Sequence, residues 1–476
     1  MEKQLYLNSF FSASISIFVP VFIWGNTVSH FPWIIEKLDF SNRTIGFLLM
    51  YFSIVQLIAS QMAGRIIVPK IGTRNTLVIG TLIFSFSPIT FGLSNNEFIF
   101  LMSCFPTGIG FGFIYTTATI ATNNAEIKTK YILQTYLSAF LSLGFLCGGL
   151  CSGFYRNYNF DSHYLFFTLI FVSILSSLLI YKLGLNRNEE NIEKMEKLKI
   201  PEKNILIFSL YLFIFLGTVM ALVDWAPLWF ERELLTTSLI ASLTIVCWGA
   251  GETTGKFLGA TMIKFTSEKI VGGYMPLIGS VIYLIIIMYG NIYFILLGLL
   301  ILGFASANFF PIVIRVALNN TKDNLNTAAA NLSTIGFLGF LVGPAIVGYT
   351  SEIYSISANT KIISFIWVFL FTTAFLLVRW SKGDLRDWVM ATPYYSGIVG
   401  LGTLWFSVFI GGFVIPDGQF GAWTHSLRQY TNVSVLVYYQ PVRTLVPLGF
   451  SVATFGGLVA LAEGWKRLLN NGDSGS

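Results

Sequence analysis

The sequence predicts an all-α polytopic membrane protein, and three observations support this fold class. Apolar residues make up 54% of the 476-residue chain and charged residues 11%, which leaves too little polar surface for a soluble domain of this length. Apolar runs recur along the chain, and each supplies the ~20 residues that cross a ~30 Å hydrocarbon core. Lys and Arg gather in alternate short connections, so the net charge of +6 reflects membrane topology and indicates no nucleic-acid partner.

The apolar runs fall into two sets of six. The first set lies within residues 1–184, at 8–34, 44–64, 75–93, 98–122, 130–155 and 163–184. A charged linker at 185–203 follows. The second set lies within residues 204–380, at 205–230, 237–260, 270–289, 292–318, 326–349 and 360–379. We therefore expect a six-helix bundle on each side of the linker.

Basic residues set the predicted orientation of these spans. They cluster in the connection after span 2, in the connection after span 4, in the linker, in the connection after span 8 and after span 12. By the positive-inside rule these connections are cytoplasmic, and so are both termini. We expect an integral protein of a bacterial-type inner membrane, in contact with lipid.

The two sets of spans repeat each other at an offset of about 195 residues. Gly64 corresponds to Gly259, the pair Asn123–Asn124 to Asn319–Asn320, and residues 142–154 to residues 336–349. Chance similarity of apolar composition is the alternative explanation. Two repeated halves joined by a cytoplasmic linker are typical of a transporter that rocks around a site at the membrane midplane.

Three stretches resemble the major facilitator superfamily, in its branch of fucose-permease-like sugar and drug permeases. They read "GNTVSHFPWIIEKLDFSNRTIGFLL" from Gly25, "VDWAPLWF" from Val223 and "AAANLSTIGFLGFLVGPAIVGY" from Ala328. The resemblance covers roughly residues 8–380. It implies a twelve-helix fold of two six-helix bundles and a transport activity, with no enzymatic reaction.

The sequence departs from this branch where a substrate is expected to bind. His30 stands where branch members tend to have Arg, Tyr115 and Thr119 replace an Asp and an Asn, and Ser138 replaces a His, while Glu126 is retained. The resemblance therefore implies the fold and does not carry over the substrate.

Two carboxylates inside spans are candidates for proton coupling, Asp224 and Glu252. A charged residue at a helix centre costs at least ~2.5–3.5 kcal/mol in a membrane, which makes a functional role the starting hypothesis. Asp224 could instead be an interfacial residue that caps a helix end broken at Pro227. Glu252 could instead form a structural ion pair with Lys256, four residues later on the same helix face.

Six polar or aromatic residues in spans 1, 4, 7 and 10 are candidates for substrate binding: Trp24, Asn26, His30, Asn123, Trp225 and Asn308. Trp faces stack on sugar rings, and Asn offers both a donor and an acceptor. The alternatives are interfacial anchoring by the aromatic residues and helix bridging by the Asn residues.

Four charged residues near cytoplasmic helix ends are candidates for gating: Lys70, Arg74, Glu126 and Arg315. Solvated surface charge is the alternative for Glu126 and Arg315. The superfamily's loop between helices 2 and 3 usually carries an acid before its basic residue, and the corresponding stretch at 69–74 has none.

The sequence indicates neither a cofactor nor a metal. It has no Walker loop, so ATP is not the implied energy source. Its four cysteines all lie in predicted spans. Cys147 and Cys151 share a helix face beside glycines, which favours small-residue packing over a redox or metal pair.

Residues 381–476 form a separate predicted module. Ile, frequent earlier, appears there only at 398, 410 and 415, and two further spans lie near 393–415 and 442–463. We interpret this stretch as an appended two-helix membrane module that could contact a membrane-protein partner.

These observations together predict a secondary transporter that moves a small polar solute, a sugar or sugar-like compound, with protons by alternating access. The alternative is a membrane scaffold or assembly factor that kept the fold and lost transport.

Overall fold

A computed structural model describes residues 2–380, apart from 95, 132, 161, 186–200, 290, 320 and 322–324. Every regular element in this part of the chain is helical. The α-helices are, in chain order, α1 Glu2–Ser29, α2 Phe31–Leu38, α3 Asn42–Met62, α4 Val68–Phe84, α5 Phe86–Leu93, α6 Glu97–Thr129, α7 Gln134–Asn157, α8 Ser162–Leu183, α9 Lys203–Arg232, α10 Ser238–Phe265, α11 Met275–Tyr289, α12 Ile292–Ser306, α13 Phe309–Asn319, α14 Leu325–Ser351 and α15 Ile356–Trp380.

Short polar side chains start several of these helices. Ser41, Asn96, Thr237 and Asn291 each accept a hydrogen bond from a backbone amide two or three residues later. Such caps satisfy amides that the first helical turn leaves without partners. They mark the boundaries at which apolar runs begin in the sequence.

The connection from α3 to α4 is helical but irregular. A π-helical turn occupies Ala63–Ile67, and Gly72 interrupts α4 with a φ of 84°. Glycine adopts this left-handed conformation without the steric cost that a side chain would add. After the interruption α4 packs on α6 and α8, whereas α3 packs on α6 and α14.

Within the described residues, nine helical segments are long and apolar enough to cross a membrane. One of them, Asn42–Pro88, has 47 residues, about twice the length that one crossing needs. The helix α10, which carries Glu252 and Lys256, is not among the nine. The sequence-based count of twelve spans up to residue 380 stays a prediction.

The helices pack as two halves that meet along two seams. Helices α1 to α8 pack mainly on one another, and so do α9 to α15. The larger contacts between halves join α3 to α14 and α7 to α10. The space between these two seams is the interior of the molecule, where the candidate site lies.

The appended module predicted at 381–476 lies outside the described residues, as does most of the linker at 185–203.

Candidate functional site

A cavity of about 1480 Å³ lies between the two halves. Its deepest wall carries Trp24 and Asp224. From there it extends to the helix ends that carry Arg65, Lys128 and Asn319, which we call the mouth end. Lys128 and Asn319 are exposed, so the cavity reaches the surface at this end.

Asp224 lines this cavity although it is only 4% exposed. The indole N–H of Trp24, on α1, donates a hydrogen bond to Asp224 Oδ1, on α9, over 3.4 Å. In the described part of the chain, no cation lies within ion-pair distance of this carboxylate. Asp224 is therefore an uncompensated buried carboxylate, and its one bonded neighbour belongs to the other half.

Aromatic rings form much of the cavity wall. Trp24 and Phe52 stack with centroids 4.8 Å apart. Towards the mouth Tyr115 meets Phe337 edge to face at 5.3 Å, and Phe337 stacks on Phe310 at 6.2 Å. Both halves contribute rings, so a solute in the cavity meets apolar faces on two sides.

A charged pair on α10 lies in the same wall. Lys256 Nζ is 2.8 Å from Glu252 Oε1, which confirms the geometry of the predicted i, i+4 pair. Lys256 also donates to Ser142 Oγ on α7 over 2.8 Å and to the carbonyl oxygen of Ser138 over 3.3 Å. The pair thus bridges the α7–α10 seam, and the coupling role assigned to Glu252 stays a prediction.

The end opposite the mouth is closed by polar contacts between the halves, and we call it the sealed end. Arg156, at the end of α7, forms a two-pronged ion pair with Glu231, at the end of α9, with N–O distances of 2.6 and 2.8 Å. Arg156 Nη1 also donates to the carbonyl oxygen of Ser29 over 2.9 Å. On the other seam the amide of Arg43 donates to Glu352 Oε1 over 2.9 Å.

Three of the six predicted binding residues line the cavity. Trp24 lies at its deep end, and Asn123 lies near its mouth. Asn308 lies in the break between α12 and α13, where its Nδ2 donates to the carbonyl oxygen of Gly255 over 2.8 Å. These positions allow contact with a solute, and binding by each residue stays a prediction.

The other three, Asn26, His30 and Trp225, are buried outside the cavity wall in this conformation. Asn26 Nδ2 bonds to the carbonyl oxygen of Phe22 over 2.8 Å, and His30 Nδ1 lies 2.8 Å from Ser152 Oγ on α7. His30 thus contacts α7, and substrate binding by each of these three residues stays a prediction.

Three of the four predicted gating residues, Glu126, Arg315 and Arg74, make contacts within one half each. Glu126 accepts hydrogen bonds from the amides of Leu133 and Gln134, and Arg315 pairs with Glu268. Arg74 lies over the ring of Tyr181 at 4.5 Å, and Lys70 is exposed. The structure brings none of these four together across the halves, and their gating role stays a prediction.

Sequence reasoning missed the polar contacts of the sealed end and the aromatic wall. Arg156 and Glu231 each lie near the predicted end of a span, and their opposite charges were the available signal. The rings at 310 and 337 gave no signal, because aromatic residues are frequent in every span.

Comparison with known proteins identifies the family. The family model of the Major Facilitator Superfamily matches residues 13–289, more than half of the chain. Multidrug resistance protein 2 of Bacillus subtilis is 29% identical over 178 residues, which cover 37% of this chain and 44% of that relative.

Two solved structures share the fold. The nucleoside transporter NupG aligns with a TM-score of 0.61 and 13% identity over 77% of this chain and 99% of its own. The fucose:proton symporter of Escherichia coli aligns with a TM-score of 0.58 and 14% identity over 80% of this chain and all of its own. The family match and the shared fold confirm the resemblance stated from the sequence: the chain belongs to the Major Facilitator Superfamily of transporters.

Proposed function

We propose that this protein is a proton-coupled secondary transporter that carries a small organic solute by alternating access. The observation that carries the proposal is Asp224, a buried carboxylate on the cavity wall with no cation partner among the described residues. An uncompensated charge in this position is costly in a membrane and is kept where it serves function.

Competition at one carboxylate gives a simple coupling mechanism. Asp224 can be neutralised by a proton or by a cationic group of a solute. The two compete, because one carboxylate at the deep end of the cavity does not bind both at the same time. A solute that enters would release a proton, and a proton that enters from the other side would release the solute. Both events change the contact with Trp24, which belongs to the other half.

The shape of the cavity supports alternating access. The mouth end is open, and ion pairs and hydrogen bonds close the sealed end. With the orientation predicted from the basic connections, this conformation is inward-facing. Opening the sealed end while closing the mouth would expose the same site to the outside.

The wall chemistry favours an aromatic or lipophilic organic cation as the solute. Ring faces such as those of Phe310 and Phe337 attract cations and stack on flat solutes, and Asp224 supplies the counter-charge. A relative that carries the name multidrug resistance protein agrees with this substrate class.

A sugar or sugar-like solute is the second candidate. Amide side chains also line the cavity, among them Gln56, Gln61 and Asn123, and amides pair well with hydroxyl groups. A neutral sugar would use Asp224 for proton coupling alone.

The remaining architectural predictions belong to the same proposal. They are twelve spans in two bundles at 1–184 and 204–380, two more spans in the module at 381–476 that offers a surface to a membrane-protein partner, and an inner-membrane location with both termini cytoplasmic.

Transport into proteoliposomes under an imposed proton gradient tests the function. Tetraphenylphosphonium represents the organic cations, and a panel of hexoses represents the sugars. We expect proton-driven movement of the cation by the wild type. Asp224→Asn, which keeps the shape and deletes the charge, should abolish it, whereas Asp39→Asn on the exposed α2–α3 connection should leave it unchanged.

The outcomes separate the candidates. If Asp224→Asn loses both cation binding and transport, the solute is a cation. Proton-dependent hexose uptake, with binding retained in Asp224→Asn, indicates a sugar. A folded wild type that moves no solute in either panel would favour the scaffold alternative, and unchanged proton-driven transport in Asp224→Asn would remove Asp224 from the mechanism.

A further inference from the structure

Three carboxylates line the cavity in the described part of the chain, and each has a different partner. Glu126 accepts hydrogen bonds from two backbone amides, and Asp224 accepts one from an indole N–H. Glu252 alone among them is paired with a cation, Lys256. The net charge of the cavity wall around a solute therefore depends on whether Lys256 neutralises Glu252.

Each of the three N–H donors of the Lys256 ammonium has an acceptor in the structure. An ammonium group has three N–H donors, and the structure provides three acceptors: Glu252 Oε1, Ser142 Oγ and the carbonyl oxygen of Ser138. The Ser142 hydroxyl can itself donate to the Ser138 carbonyl, over 3.3 Å, which leaves its oxygen free to accept from Lys256. This arrangement fixes the positive charge in the wall rather than offering it to an anionic solute.

We propose that Lys256 sets the charge selectivity of the cavity. It neutralises Glu252, so that Asp224 is left as the one uncompensated carboxylate among the described residues that line the deep part of the cavity. Asp224 can balance the charge of a solute that carries one positive charge. A second positive charge on the solute would be desolvated beside the Lys256 ammonium, and no unpaired carboxylate in the deep part of the cavity would compensate it.

This inference deepens the proposed function, because it assumes that the cavity binds organic cations. It assigns to Lys256 a role that differs from those of its neighbours. Asp224 would meet the solute and the proton, whereas Lys256 acts through Glu252 and the two serines.

Ethidium and propidium are suitable probes because they share one aromatic ring system and carry one and two positive charges. Their affinities are measured by fluorescence on the full-length protein in lipid nanodiscs. We expect the wild type to prefer ethidium. Lys256→Met should raise the affinity for propidium relative to ethidium by about tenfold, since it leaves Glu252 free to pair with the second charge.

Two controls define the effect. Lys264→Met removes the same charge from an exposed position on the same helix and should keep the wild-type ratio. Glu252→Gln combined with Lys256→Met removes both charges and should return the ratio to the wild-type value. If Lys256→Met does not fold, Lys256→Gln, which keeps a donor for Ser142, serves in its place.

The results distinguish this inference from the function on which it rests. Ethidium binding with the same propidium-to-ethidium ratio in wild type and in the folded Lys256 variant would overturn the role of Lys256 and leave the proposed function intact. Failure of the folded wild type to bind ethidium would overturn the organic-cation site, and the selectivity role with it.

Discussion

At the residue scale, Trp24 connects the wall of the cavity to the two halves of the molecule. Its ring stacks on Phe52 of its own half at 4.8 Å, while its N–H donates to Asp224 of the other half over 3.4 Å. The stacking holds the indole in place whether or not the hydrogen bond is formed. Trp24 can thus gain or lose its hydrogen bond to Asp224, in the other half, while it stays packed on Phe52.

Replacing Trp24 by Phe should weaken the sealed end slightly. The ring and its stacking are kept, and the hydrogen bond to Asp224 is lost, which corresponds to about a two- to tenfold increase in the population open at that end. Spin labels at Tyr158 and Leu235, exposed residues of the two halves at the sealed end, measure this population by their distance distribution in a chain without its four native cysteines. An unchanged distribution would mean that the Trp24–Asp224 contact does not stabilise the closed form.

At the element scale, glycines let the helices of the two halves approach along both seams. A Cβ on Gly46 of α3 would lie 2.9 Å from Gly348 Cα of α14, and a Cβ on Gly249 of α10 would lie 2.9 Å from Leu146 Cβ of α7. Close approach through small residues is a common mode of helix packing in membranes. At Gly46 and Gly348 the obstacle is backbone, which cannot move out of the way as a side chain can.

Gly348→Ala should therefore separate α3 from α14 near the sealed end. Overpacking of this kind costs about 1–3 kcal/mol, and only the conformation with the seam closed bears the cost. We expect the label pair at Tyr158 and Leu235 to shift towards long distances. Gly298→Ala is the control: its nearest neighbours are side-chain atoms of Tyr283 and Ile286 within the same half, so the distances should stay as in the wild type.

At the scale of the whole molecule, the ion pair of Arg156 and Glu231 connects the two halves at the sealed end. The side chain of Arg156 is 9% exposed and that of Glu231 is 23% exposed. A partly buried pair of this kind is costly to break by removing one partner, because the other charge is left without compensation. In a conformation open at this end, water would reach Arg156 and reduce that cost.

Glu231→Gln should consequently favour opening of the sealed end, by about tenfold or more in population. The exchange Arg156→Glu with Glu231→Arg should return the label distances towards the wild-type distribution, although the bond to the Ser29 carbonyl is lost. If the single variant stays closed, the ion pair does not govern access at this end.

The appended module should be dispensable for the fold of the first part of the chain. Both seams and the contacts of the sealed end lie within residues 2–380. Truncation after Lys382 should therefore leave a monodisperse protein in detergent that keeps its cation binding, as checked by size-exclusion chromatography and fluorescence. Aggregation of the truncated chain would show that residues beyond Lys382 are needed for its stability.

The sequence by itself determined the class of the protein and predicted its layout. Apolar runs of membrane length, basic connections and a repeat at about 195 residues predicted helices in two related sets, because lipid forces backbone groups to bond within a helix or a closed barrel. The same reasoning singled out Asp224 and the Glu252–Lys256 pair, since charges inside apolar runs stand out without any structure.

Only the tertiary structure decided which polar groups line the cavity. Asn26, His30 and Trp225 have the same character in sequence as Trp24, Asn123 and Asn308, yet the first three are buried away from the cavity wall and the last three line it. A helix buried on most sides gives little periodic signal to tell these faces apart, because lipid and protein interior are both apolar. The contacts of Trp24 with Asp224, of Lys256 with Ser142 and of Arg156 with Glu231 join residues more than 70 positions apart, and only the packing of the two halves brings them together.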